Sequence, residues 1–141
     1  MKKTKAYEDI EKSHFARFDA VFPAIFRLYV RGRNGIITIL VNGETVHVSL
    51  KEMCVELGLS DYVDVVSLVE AAMYKIGVDV GVTLIAGGVD FSTSAEIMWF
   101  KRRGEDRLRM GVRFMGMNKD DRSIWNKVLI SLGENVQRVE A

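Results

Sequence analysis

Apolar and polar positions alternate along most of the chain from residue 24 onward. In "AIFRLYV", Phe26, Leu28 and Val30 point one way and Arg27, Tyr29 and Arg31 the other, the period of a half-buried strand. "RNG" at 33–35 and "NG" at 42–43 are tight-turn signals, because Asn-Gly tolerates the positive φ angles of a two-residue hairpin. The β-branched runs "IITILV" and "ETVHVS" extend the pattern to a meander. From residue 78 the alternation returns: Val78, Val80, Val82 and Leu84 share a face, "AGG" turns the chain, and Phe91, Thr93, Ala95, Ile97 and Trp99 share the next. After the polar tip "RRGED", Leu108, Met110, Val112 and Phe114 point inward while Arg107, Arg109 and Arg113 point out.

Helical signals interrupt this pattern. Ser49 stands three residues before Glu52, a capping-box spacing, and predicts a short helix "LKEMCVEL" ended by Gly58. Ser60 is the expected cap of a second helix over 61–76, with Asp61 and Asp64 in its first turn. Tyr62, Val65, Val66, Val69, Ala72, Met73 and Ile76 fall on one face of it, although "VDVVSLV" is also good strand material. A closing helix over 118–133 has Asn118 as N-cap and Asp120 and Asp121 in its first turn. Its apolar stripe is Ile124, Trp125, Val128, Leu129 and Leu132, and Gly133 is its expected stop. The first twenty residues, with "YEDIEKSHFARF", read as a short helix or an ordered arm.

These elements predict one mainly β domain over 1–141. It is a small six-stranded antiparallel barrel with a helical insert at about 49–76 and a C-terminal helix at 118–133 packed on it. The apolar face of the insert requires cover. Either it seals one end of the barrel or it pairs with a second copy, and the balance lies with self-association.

Composition narrows the function classes. A net charge of +1 gives no bulk field to draw in DNA or an anionic membrane. One cysteine, Cys54, excludes an internal disulfide and fits a reducing compartment. The lysines of the N-terminal stretch are not followed by an apolar core, and no apolar run is long enough to span a bilayer, so a cytoplasmic protein is expected. His14, His47 and Cys54 have neither metal-ligand spacing nor a nucleophile–base arrangement, so neither a metal nor an enzyme is expected. The segments "GVDVGV" and "AGG" open no helix and read as strand and turn glycines rather than a phosphate loop.

"GVDVGVTL", then "SAEIMWFKRRGEDRLRMGVRFMGM", then "NKDDRSIWNKVL" together resemble the second half of a PilZ domain. The likeness covers residues 77–133 well and 15–31 ("ARFDAVFPAIFRLYV") loosely. It implies a bacterial signalling barrel whose usual ligand is cyclic di-GMP. That ligand is held by an Arg-x-x-x-Arg segment before the first strand and an Asp-x-Ser-x-x-Gly turn on the next. The first motif falls on Ser13-His14-Phe15-Ala16-Arg17, with only the second arginine present and Lys12 beside the missing one. The second falls on His47-Val48-Ser49-Leu50-Lys51-Glu52, where Ser49 alone matches. Lys12, Arg17 and Ser49 are thus the candidate ligand residues, in a degenerate nucleotide site. The resemblance then implies a non-enzymatic adaptor that acts through a protein partner.

The largest basic feature is Lys101, Arg102, Arg103, Arg107, Arg109 and Arg113 on one hairpin, with Trp99 and Phe100 at its base. Most such clusters are solvated faces, but Arg107, Arg109 and Arg113 are the candidate partner surface. Two alternatives stand beside the adaptor. One is a working cyclic di-GMP receptor with a non-standard site. The other is a helix-turn-helix DNA-binding protein at 49–76, whose second helix would carry Asp61, Asp64 and Glu70 against Lys75 alone.

Overall fold

The computed structural model describes the backbone of residues 17–140 and the side chains of residues 17–133. The N-terminal arm, Lys12 and His14 therefore lie outside the described residues. Among the described residues seven strands and two helices follow in order: β1 (Phe18–Asp19), β2 (Pro23–Gly32), β3 (Gly35–Val48), β4 (Glu52–Gly58), α1 (Val65–Met73), β5 (Val78–Ala86), β6 (Val89–Arg103), β7 (Arg107–Phe114) and α2 (Lys119–Glu140). All pairings are antiparallel. β3-β2-β5-β6-β7-β4 closes on itself through a β3–β4 pairing, and β1 adds to β3 from outside. The expected six-stranded barrel is present.

Alternation translates directly into the core. Phe26 and Leu28 on β2, Val80, Val82 and Leu84 on β5, and Leu108, Met110 and Val112 on β7 are all buried. The "RNG" turn closes β2 onto β3, and Gly87 and Gly88, both at positive φ, turn β5 into β6.

Four expectations outside the 61–76 insert are corrected. "LKEMCVEL" is no helix: residues 52–58 form β4, whose Met53, Val55 and Leu57 are buried, with Cys54 buried between the first two. The Ser49–Glu52 spacing is real chemistry put to another use. The Ser49 hydroxyl accepts from the Glu52 N–H (3.1 Å) and donates to the Glu52 carbonyl (3.0 Å), knitting the β3–β4 turn. "NG" at 42–43 makes no turn, since β3 runs straight through it. Third, a register shift between Ile97 and Trp99 lets β6 change parity, so Ile97 is buried, Trp99 is exposed and Phe100 packs on the core. Finally, α2 continues past Gly133 to Glu140, the preceding turn holding without a stop.

The insert is shorter than expected. Asp64, not Ser60, caps α1, accepting the Ser67 N–H at 3.0 Å, and Ser60 instead receives the Tyr62 N–H. Val65, Val69 and Ala72 are buried in the core, with α1 packed against β6 and β5, so its own barrel covers that part of the apolar face. Tyr62 (97% exposed) and Ile76 fall off that face. At the other helix, Asn118 caps α2 as expected, accepting the Asp121 N–H at 2.8 Å. Trp125 and Leu129 are fully buried and Ile124, Val128 and Leu132 partly so.

Candidate functional site

The pairing of β1 with β3 brings the two described ligand candidates together. β1 pairs Asp19 with His47, which carries Arg17 to the end of β3, beside the Ser49 turn. His47 in turn pairs with Cys54 on β4, Cys54 with Gly111 on β7, and Gly111 with Trp99 on β6. This row floors a cavity of about 220 Å³ lined by Arg17, His47, Ser49, Glu52, Cys54, Met98, Trp99 and Gly111. The five-membered ring of Trp99 rests on Gly111, where a Cβ would lie 2.0 Å from the indole nitrogen. Arg17 and Ser49 were legible as candidates. His47, Cys54 and Trp99 enter through the β4 strand and the β6 bulge, which local pattern did not disclose.

The chemistry of this cavity is restrained. Ser49 is buried and its hydroxyl is engaged with the Glu52 backbone, while its carbonyl accepts the Trp125 indole N–H at 3.1 Å. It is a structural residue first. Burial, then the Arg17 charge, holds His47 below its ordinary value of 6.5. Burial likewise raises the Cys54 thiol, which keeps it protonated and a poor nucleophile. Among the described residues no three His, Cys, Asp or Glu side chains stand close enough to hold a metal.

His47 gives a pH dependence. In the unfolded chain it binds a proton near 6.5, before the folded site does, so acid favours unfolding. Its contribution is present above 6.5 and is lost as pH falls through the lowered folded value. Urea titrations of the wild type should show stability declining as pH falls below 6.5, and His47→Gln should flatten that part of the profile. An unchanged profile would remove His47 as the cause.

Arg107, Arg109 and Arg113 do point outward along β7, but two of them are answered. Arg109 pairs with Glu56 at 2.9 Å and Arg113 with Glu52 at 3.3 Å, both carboxylates coming from β4. Arg109 holds Glu56 below the usual carboxylate range, chiefly by its hydrogen bond, and the same bond raises Arg109. Arg102 donates to the carbonyls of Gly104 and Glu105 at the hairpin tip. Among the described residues, Lys101, Arg103 and Arg107 make no ion pair, and they form the available basic row.

A larger groove of about 640 Å³ lies elsewhere, lined by Arg27, Tyr29, Arg31, Lys75, Asp79, Gly81 and Glu96 among others. Its arginines are also engaged: Arg27 donates to Tyr29 and Thr83, and Arg31 pairs with Asp79. The helix-turn-helix reading needs two helices at 49–76, and the first of them is β4. No helix among the described residues is long and apolar enough to cross a membrane. Comparison with known proteins finds no matching family model, no similar curated protein and no similar solved structure.

Proposed function

We propose that this chain is a PilZ-like signalling domain of a cyclic di-GMP-linked bacterial system. It acts as a cytoplasmic adaptor through protein contacts and carries a degenerate nucleotide site. The observation that carries the reading is the charge balance of the Arg17–Trp99 cavity. Arg17 is the one arginine or lysine among its lining residues, Glu52 places a carboxylate there, and the Ser49 hydroxyl is occupied. Its volume of about 220 Å³ also lies below the ~300–1,000 Å³ of pockets that hold drug-sized ligands.

Tight recognition of two phosphates and two guanines needs several charge-assisted hydrogen bonds, each worth about 1.5–3 kcal/mol. Loss of two such contacts, with an added carboxylate, is a deficit of about 4 kcal/mol and moves a micromolar ligand to about millimolar. Calorimetric titration with cyclic di-GMP is therefore expected to give no binding at tens of micromolar. Capture of partner proteins on immobilised chain is expected to weaken with the double variant Arg103→Glu, Arg107→Glu, which reverses two of the three unpaired cations of this face and leaves the Arg109–Glu56 and Arg113–Glu52 pairs intact.

One observation favours the receptor as second reading: Arg17, Ser49 and an exposed indole converge on one cavity. Micromolar binding of cyclic di-GMP abolished by Arg17→Ala would establish that reading in place of the adaptor.

A further inference from the structure

Beyond the barrel's closed part, one edge of β3 has no partner among the described residues. β4 joins β3 only from Gly43 onward, so residues 36–41 pair with β2 on one side and with no described strand on the other. The Arg31 N–H bonds the Gly77 carbonyl beside β5, which turns the even-numbered positions of β2 toward β3. Their partners are Ile37, Ile39 and Val41. The N–H and C=O groups of Ile36, Thr38 and Leu40 are consequently aimed off the sheet.

This edge lacks the usual protections. Natural edges are short, charged, bulged or interrupted by proline. Here "GIITILVNG" has no charge and no proline. Ile36, Ile37 and Leu40 are each about two-thirds exposed, and they fall on both faces of the ribbon. Ile76 is exposed at the same end, next to the Gly77 that bonds Arg31, the register partner of Ile36.

We propose that this edge is a self-association surface, on which two copies pair antiparallel through residues 36–40 about a two-fold axis near Thr38. The segment suits its own reverse: Ile36 and Ile37 precede Thr38, and Ile39 and Leu40 follow it. An isologous contact needs only one such sequence. Charge fixes the direction, since Arg33 flanks one end and Glu44 the other. Antiparallel pairing brings opposite signs toward each other, whereas parallel pairing would stack Arg33 on Arg33. The exposed Ile36, Ile37 and Leu40 side chains put apolar surface on both faces of this ribbon, and the backbone rungs add to it, toward the roughly 800 Å² per partner of a standard interface. The continuous sheet then runs across both barrels. This route leaves the α1 stripe inside its own barrel and is independent of the nucleotide reading.

Sedimentation velocity on the full chain from about 1 to about 100 μM is expected to show a monomer–dimer equilibrium with a dissociation constant of about tens of micromolar. Thr38→Lys sets like charges against each other at the axis, and Leu40→Lys charges the same face. Each should raise the dissociation constant tenfold or more with an unchanged melting temperature. Thr38→Cys should form a covalent dimer on mild oxidation, while the buried Cys54 of the wild type does not. A strict monomer at about 100 μM would overturn the proposal. So would a dimer indifferent to both lysines, or one that forms only after deletion of residues 1–16, which would make that segment the occupant of the edge.

Discussion

Trp125→Ala should lower the unfolding free energy by about 3–5 kcal/mol, the largest loss expected from any single core truncation here. The indole is fully buried and ringed by three aromatic side chains in edge-to-face contact: Phe22 at 6.3 Å, Phe91 at 5.8 Å and Phe114 at 5.8 Å between centroids. These come from the loop before β2, from β6 and from β7, so one side chain ties α2 to three parts of the barrel. Its N–H also satisfies the Ser49 carbonyl at 3.1 Å, inside the β3–β4 turn. Alanine would open a cavity, strand that carbonyl and detach α2 from the wall of the candidate site. Trp125→Phe separates the two effects, because it keeps most of the packing and loses the hydrogen bond, worth about 1 kcal/mol. A melting temperature for Trp125→Ala lower by about 10 °C or more is the measurement that checks this. A fall of only a degree or two would mean that α2 is not anchored there.

The strands were legible because the barrel is two-faced, so burial writes a period of two into the sequence. β2, β5 and β7 carry it with little interruption. β4 carries it too, in Met53, Val55 and Leu57, but Cys54 between them is also buried, and the surrounding Leu, Lys, Glu and Met are strong helix formers. Pairing on both sides, to β3 and β7, overrode local propensity. The hidden identity of β4 then concealed the site. Local propensity favours a helix over 50–57, and a helix there cannot set Glu52 and Glu56 opposite Arg113 and Arg109. The Trp99 flip was hidden for a different reason: the extra residue at Met98 has no local residue signature. The Asp64 cap of α1 was blurred by the neighbouring Ser60 and Asp61, either of which also suits an N-cap.

The second large effect belongs to Gly43, the residue whose apparent turn signal misled. It lies at the point where β3 stops pairing with β2 alone and gains β4, opposite Leu57 and next to Ala24. A Cβ there would stand 2.5 Å from Leu57 Cδ2 and 2.6 Å from the Glu56 carbonyl oxygen. The leucine tip can rotate, but the carbonyl is β4 backbone directed at β3 where Glu44 pairs with Glu56, so relief requires the strands to part where the barrel closes. Replacing glycine ordinarily stabilises by about 0.4–1 kcal/mol through the unfolded chain. Overpacking against fixed backbone costs about 1–3 kcal/mol and sometimes more, so the clash wins. Gly43→Ala should therefore lose about 1–2 kcal/mol, and Gly43→Val, with two further methyl groups, about 3 kcal/mol or more. Gly58→Ala is the control, since a Cβ at Gly58, one residue past Leu57 on β4 and paired with Arg107 of β7, meets nothing within 4 Å. Chemical denaturation of the three variants decides the matter. Equal stability of Gly43→Val and wild type would mean that residues 42–43 do turn the chain and that β3 and β4 do not close the barrel at that point.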